Sequence, residues 1–345
     1  MQGATLRCAI VHHNSPGMVA DAQVLTAAIR ASHPGAKIAS WELRGRFVRD
    51  YATPIELTPE QRSSLPFDFV FLLEHAHANP PLLDRSFAQH VVYVPNVEWL
   101  SPLDEKVIAS GSIDTVLLKT RYSGAVISAL AGATRVKNGQ LCTGWTSPDV
   151  GHADAGERSW ERFLHISGKS KQKNGDAVVS VWMRNSDLPP MTLVAGVETA
   201  VDLSMPLRAS ANLEVVVSRL SEAKLRALQR AAGLHVCPSV VEGFGHTQNE
   251  ARSASAVLIT TDAPPMNEMV EDGVDGILVP VRAENKEAFH LATGHRVTAA
   301  DLEASVRRVL ALDPEERAQM GFRARQRYEE DRRRFYAAMR RFIGA

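Results

Sequence analysis

Glu242 and Glu250 bracket the run Glu242-Gly243-Phe244-Gly245-His246-Thr247-Gln248-Asn249-Glu250, with seven residues between the two carboxylates. The run follows an apolar, strand-like segment, Leu234-His235-Val236-Cys237-Pro238-Ser239. A strand, a glycine-bearing turn and then a helix expose free backbone N–H groups and the positive end of a helix dipole, a setting that suits phosphate. Carboxylates add what N–H groups cannot, because they accept hydrogen bonds from hydroxyls, and sugars and ribose are made of hydroxyls. One short segment is therefore able to hold a diphosphate and the rings at both of its ends. A lone glutamate at a helix start needs no explanation beyond dipole complementarity, worth about 0.5 kcal/mol. Two in one motif call for more.

The elements that must position this run alternate along the chain. Short runs rich in Val, Ile, Leu and Phe fall at Leu6–Val11, Lys37–Trp41, Phe69–Leu73, Val91–Val94 and Thr115–Leu118, with helical stretches at Val19–Ala31, Pro102–Ser110 and Arg121–Ala131. This is the βα alternation of a parallel sheet covered on both faces. The pattern breaks over Gly144–Trp160 and resumes with Phe163–Ser167, Thr192–Ala195, Leu213–Val217, Leu234–Cys237, Val257–Thr260 and Ile277–Val279. The spacing predicts two α/β domains joined near residue 155. Asp313-Pro314 offers a helix N-cap, Thr298-x-x-Asp301 is box-like, and a last helix is expected from about Asp331 to Ile343. Its stripe of Phe335, Met339, Phe342 and Ile343 is expected to pack on the protein rather than lie on anionic lipid.

Composition limits what such a chain does. At 345 residues it exceeds what one core usually supports. It is 45% hydrophobic and 23% charged, with 39 Lys+Arg against 39 Asp+Glu, so no net basic field recruits nucleic acid or a lipid surface. Cys8, Cys142 and Cys237 each sit in or beside an apolar strand-like run and are expected to be small buried hydrophobes in a reducing compartment. No apolar run approaches the roughly 18 residues of a membrane span, and no signal-peptide pattern opens the chain. A cytoplasmic location is the default expectation.

The ordered motifs Ser221-Glu222-Ala223-Lys224-Leu225, Cys237-Pro238-Ser239, Glu242-Gly243-Phe244-Gly245, Glu250-Ala251, Asn267-Glu268 and Asp272–Pro280 resemble the donor domain of retaining GT-B glycosyltransferases of the family 4 type. The resemblance covers roughly residues 160–343 well, and the first domain only in general layout. It implies two Rossmann-like domains facing across a cleft: 1–155 on the acceptor side, 156–330 on the nucleotide-sugar donor side, and 331–345 as a C-terminal helix crossing back toward the first domain. It further implies transfer of a sugar from a nucleotide-diphospho-sugar, a UDP-sugar or GDP-sugar, to a hydroxyl acceptor on a glycan, glycolipid or other molecule, with neither cofactor nor metal. On this resemblance Glu250 accepts from the ribose hydroxyls and Glu242 faces the transferred sugar. Gly243, Phe244, Gly245, His246 and Thr247 lie along the sugar and diphosphate, and Arg219, after Ser218, approaches the base. Lys169 and Lys173 match the basic pair that neutralises the diphosphate; Lys169 stands where the family more often has Arg, so a point charge replaces a fork.

The first domain departs from the pattern. Its loop after the first strand, His12-His13-Asn14-Ser15-Pro16-Gly17, has one glycine, and Asn96 or Glu98 stands where a histidine is typical. Polar groups still collect at strand ends: His12, His13 and Asn14, then Glu74, His75 and His77, then Asn96 and Glu98. These are the candidate acceptor-side residues. His75-x-His77 lacks a third ligand at a recognisable spacing, so no metal is expected. Two other readings stand beside a glycosyltransferase. One is a sugar-nucleotide-binding protein of the same fold, catalytically weak or inactive. The other is a dinucleotide oxidoreductase, against which stands the absence of G-x-G-x-x-G after the first strand.

Overall fold

The computed structural model describes residues 5–43, 57–63, 65–76, 80–151, 158–197, 210–218, 220–289 and 291–344. Arg219 and His77 lie outside these residues. The chain divides into two compact units: residues 1–148 with 289–292 and 331–345, and residues 149–288 with 293–330.

The first unit is built from β1 (Arg7–His13), α1 (Pro16–Ser32), β2 (Lys37–Leu43), α2 (Pro59–Ser63), β3 (Phe67–Glu74), β4 (Ala88–Pro95), α3 (Pro102–Ser110), β5 (Thr115–Leu118), α4 (Arg121–Ser128) and β6 (Gln140–Cys142). Its six strands run in the order β2-β1-β3-β4-β5-β6, with parallel pairings such as Ala9↔Val70 and Val70↔Val91. Apolar side chains alternate with the helices that cover them, giving a core of Ala9, Val11, Val70, Leu72, Tyr93, Val116 and Leu118. Helix α1 starts where Ser15 accepts from the Met18 amide at 3.3 Å with proline as its first residue. Helix α3 starts on a reciprocal box between Ser101 and Asp104.

The second unit follows the same logic with β7 (Ser159–Gly168), α5 (Gly175–Arg184), β8 (Met191–Ala195), β9 (Leu213–Val217), α6 (Glu222–Ala231), β10 (Ala232–Cys237), α7 (His246–Ser253), β11 (Val257–Thr261), β12 (Gly276–Val279), a small β13 (Lys286–Phe289) and β14 (Ala292–His295) sheet, and α8 (Ala299–Leu310). Strand order is β12-β11-β10-β7-β8-β9, the doubly wound arrangement. Phe163 and Trp182 meet edge to face at 5.1 Å within a core that includes Val178, Leu193, Leu234, Val236, Val257, Ile259 and Val306. Thr298 caps α8 through the Asp301 amide, 3.1 Å away.

A final helix, α9, runs without interruption over Pro314–Gly344. The sequence placed an N-cap at Asp313-Pro314 and a last helix from about Asp331; the structure joins the two in one helix, a continuity that Gly321 and a dense run of charge obscure. Asp313 and Glu316 close a capping box, each side chain accepting from the other's amide at 2.8 Å. Gly321 is retained inside the helix because a Cβ there would run into the Ser255 carbonyl. Residues 331–345 of α9 belong to the first unit, where Phe335, Met339 and Ile343 are buried and Phe335 lies 4.9 Å from Trp145, ring to ring. The apolar stripe thus packs on protein, with Arg332, Arg333, Arg334, Arg340 and Arg341 exposed. One expectation fails: Cys8 and Cys237 are buried, but Cys142 is exposed. It sits on β6, an edge strand that a neighbour covers on one side only.

Candidate functional site

In the second sheet the strand order reverses between β7 and β10, and the C-terminal ends of strands at such a reversal are where open α/β sheets take ligands. Both lysines and both glutamates of interest follow these two strands. After β7 the chain makes a tight turn, Lys171–Lys173, closed by Asn174 in the left-handed region at φ 56°. Asn174 is wholly buried, donates to the Val297 carbonyl at 3.0 Å and accepts from Arg296 Nη1 at 3.0 Å. A main-chain bond from Val240 N–H to the Gln172 carbonyl, 2.7 Å, ties this turn to the loop after β10.

That frame sets Lys173 Nζ 2.5 Å from Glu242 Oε1 and 3.0 Å from Thr247 Oγ1. Gln248 Nε2 donates to the same Glu242 oxygen at 3.3 Å and to Ser239 Oγ at 3.1 Å. Burial pushes the Glu242 carboxyl up, but Lys173 beside it, with Ser239 and Gln248, outweighs that and holds it below its ordinary value. Glu242 is therefore a carboxylate. Helix α7 begins on Gly245, whose φ of 99° disfavours any side chain and which brings no capping group to the helix's first amides. A Cβ at this glycine would stand 2.8 Å from Gln248 Oε1. Phe244 is buried, its ring 5.5 Å from and nearly perpendicular to that of His246. Gly243 is buried beside it.

Glu250 lies within the same helix, and its environment differs. Its Oε2 accepts from Gln229 Nε2 at 2.8 Å, while Oε1 accepts from no described residue. Burial raises this carboxyl, and His246, Gln229 and Arg226 offset the rise only in part, so it titrates above its ordinary value. Lys169 is exposed at the end of β7. The structure thus unites Lys173, Glu242 and Thr247 directly and sets Glu250 and the uncapped α7 amides on the same helix.

Two residues that sequence reading overlooked, Gln229 and Gln248, are the buried amides that hold the two glutamates. Gln248 lay within the motif itself. Gln229 carried one signal, a polar residue on the covered face of α6.

The first unit has its own reversal, between β1 and β3. His13 and His75 meet there with ring centroids 6.1 Å apart. His75 Nδ1 lies 3.1 Å from Asp104 Oδ2; burial alone would depress this imidazole, but the Asp104 carboxylate more than compensates and raises it. His12 turns away, with Nδ1 at 2.7 Å from the His13 carbonyl and Nε2 at 3.1 Å from Ser40 Oγ. It lines a groove of about 460 Å³ with Gln23, Arg30 and Glu42. Asn14 is exposed and Glu98 is buried. Asn96 is committed internally, accepting from Lys119 Nζ at 2.7 Å and donating weakly to Met18 Sδ at 3.7 Å. Lys119 also pairs with Asp21, which accepts from Trp145 Nε1 at 2.6 Å. Asp21 interrupts the buried stripe of Met18, Ala22 and Leu25 on α1, which was the available sequence signal for this network. Among the described residues no three His, Cys, Asp or Glu side chains converge where they could hold a metal ion. None of the described helices is long and apolar enough to cross a membrane.

Residues 163–294 match the family model described as Glycosyl transferases group 1. Alpha-maltose-1-phosphate synthase from Mycolicibacterium smegmatis is 30% identical over 108 residues, which are 31% of this chain and 25% of that protein. The matched stretch therefore spans about a quarter of that curated relative. Among solved structures, sucrose-phosphate synthase from Thermosynechococcus elongatus aligns with a TM-score of 0.70 at 14% identity, covering 98% of this chain and 97% of that one. The Anabaena protein HepE in complex with UDP and glucose aligns with a TM-score of 0.63 at 12% identity, covering 98% of each. The match to the glycosyl transferases group 1 model lies mainly within the second unit, and the chain shares its fold, two Rossmann-like units of six parallel strands each, with these neighbours.

Proposed function

We propose that this chain is a retaining, metal-independent glycosyltransferase that moves a sugar from a nucleotide-diphospho-sugar to a hydroxyl acceptor. The observation that carries the reading is the Lys173 ammonium set against Glu242 and Thr247 at the uncapped start of α7, with Glu250 farther along the same helix. Cleaving a sugar–phosphate bond builds negative charge on the leaving diphosphate and positive charge on the sugar. Fixed cations and free amides at the phosphate lower that barrier, and a carboxylate beside the sugar steadies the opposite charge. In this reading Lys173, Lys169 and the amides of Gly245, His246 and Thr247 take the diphosphate, Glu242 faces the sugar, and Glu250 takes the ribose hydroxyls. The neighbour that binds UDP supports a UDP-sugar as the first donor to try. The departing phosphate would deprotonate the acceptor on the face it leaves, so the two-carboxylate geometry of a glycosidase is not needed. The acceptor side is assigned to the first unit, around His13, His75 and Glu98.

Incubation with UDP-, GDP- and ADP-glucose, with NMR of the freshly released sugar, tests both parts. Release of the α-anomer from the α-linked donor, unaffected by EDTA, is the expected result. Thermal stabilisation by NAD alone, or prompt release of the β-anomer, would overturn it.

A further inference from the structure

The two glutamates of the motif are held by different means. Glu242 is gripped by a cation and an amide on one oxygen. Glu250 is gripped by a single amide on one oxygen, with the other oxygen left open. That amide, Gln229, is 2% exposed and comes from the last turn of α6, a different element from the motif. Its main chain is fixed too. His235 on β10, itself 2% exposed, lies with Nε2 3.0 Å from the Gln229 carbonyl, satisfying one of the orphan acceptors at the end of α6. The sheet thus fixes the backbone of Gln229, and its side chain fixes one carboxylate oxygen 2.8 Å away.

We infer that Gln229 is a positioning residue for donor selection: by occupying Glu250 Oε2 from the β10 side, it presents Oε1 to a ribose hydroxyl and makes the site discriminate ribonucleotides from deoxyribonucleotides. This rests on the reading that Glu250 is the ribose acceptor. A carboxylate with both oxygens free rotates, and a hydroxyl then meets it in several orientations; one oxygen held leaves a single presentation. The amide also favours the charged form, the only form in which both Glu250 oxygens act purely as acceptors. The groups facing this carboxyl are His246 and Arg226, with Lys173 farther off. Arg226 is engaged by Glu222 at 2.6 Å and by the Asp149 carbonyl at 2.6 Å, so Gln229 is the neutral donor that commits to Glu250.

The test uses the full chain and two near-isosteric variants, Gln229→Met, which removes the donor, and Gln229→Glu, which replaces it with an acceptor. Binding of UDP and 2′-deoxy-UDP, with GDP and 2′-deoxy-GDP in parallel, is measured by calorimetry across pH, alongside Glu250→Gln. Wild type should prefer the ribonucleotide. Gln229→Met should weaken ribonucleotide binding about tenfold, the scale of a hydrogen bond to a charged group, and leave deoxyribonucleotide binding unchanged. Its binding should also fail at a higher pH on the acid side than wild type, an arm that Glu250→Gln should lack. Gln229→Glu should bind better as pH falls, since one proton shared between two carboxylates restores a donor. A merely structural role would weaken both nucleotides alike, and that result overturns the inference. If Glu250→Gln loses the ribose preference while both Gln229 variants keep it, the inference fails and the ribose reading stands. If Glu250→Gln keeps the preference, or wild type binds none of these nucleotides, the reading beneath it fails as well.

Discussion

Replacing Lys173 with methionine keeps the aliphatic stem and removes the charge, leaving Glu242 as a buried carboxylate whose main counterion is gone. The two side chains are 19% and 12% exposed with N and O 2.5 Å apart. At an effective dielectric of about 20 the bare attraction is about 7 kcal/mol. Desolvation cancels much of this, and remaining exposure screens more, so the net coupling should fall between that of an exposed pair and a buried one, about 2–3 kcal/mol. Urea unfolding with hydrogen exchange read over residues 232–245 reports this region without assuming that the two units unfold together. Lys173→Met and Glu242→Gln should each destabilise it, and the double variant should cost about 2–3 kcal/mol less than their sum. Because Glu242 titrates below its ordinary value in the folded chain, the coupling is present above the unfolded carboxyl's range and disappears as pH falls through the folded one. A coupling under about 0.5 kcal/mol at neutral pH would refute the claim that this pair organises the site, since exposed pairs already reach that value. Lys173→Met should also lose most of the thermal shift that a nucleoside diphosphate produces.

Other consequences are open to measurement. His165 and His235 are buried and neutral, each with a pKa pushed by burial from 6.5 to about 4, so both must take up protons when the second unit unfolds in acid. The stability they support is whole above the unfolded value and is lost as pH falls toward the folded one, about 2 kcal/mol apiece between about pH 7 and about pH 5. Chemical denaturation across that window should show this slope, and His165→Gln should remove about half of it; a flat profile would contradict the assignment. Lys119→Met should destabilise the first unit by about 3–5 kcal/mol in denaturant melts, because it strands Asp21, and adding Asp21→Asn should recover part of the loss while leaving Trp145 an acceptor. Gly245→Ala should cost about 1–3 kcal/mol for its backbone angle and displace Gln248, seen as lowered stability and weaker nucleotide binding in calorimetry.

Much of the architecture was legible because parallel strands buried on both faces read as continuous apolar runs: Thr115–Leu118 and Leu213–Val217 fall where the sequence suggested. Strand β6 was missed because three residues at a sheet edge, two of them exposed, carry no such run. The start of α9 was legible as the Asp313-Pro314 cap, but its unbroken course to residue 344 was hidden by Gly321, which serves tertiary contact rather than a turn. In the site, the residues supplied by one segment were visible as a motif, and Lys173 was visible because it follows a strand. Gln229 was not, since what matters is its reach across from α6, and spacing along one helix encodes no such distance. Asn96 illustrates the converse. Its position at a strand end suggested a ligand contact, whereas in the folded chain its amide is committed to Lys119 and Met18.

The course of α9 bears on how the protein comes to be folded at all. During synthesis the ribosome emits the first unit's six strands early, yet Phe335, which packs on Trp145, and Phe342, which packs on Phe69, emerge only after the whole second unit. Until then the first unit carries an open apolar seam that its own early sequence cannot close, and closing it requires pairing residues 190 and 273 positions apart along the chain. The second unit's own segments, residues 149–288 and 293–330, leave the ribosome before that end of the helix does. Folding is therefore expected to run against the direction of translation, the later unit maturing first and the earlier one waiting for its last turn of helix, with a chaperone's protection most valuable to the part made first.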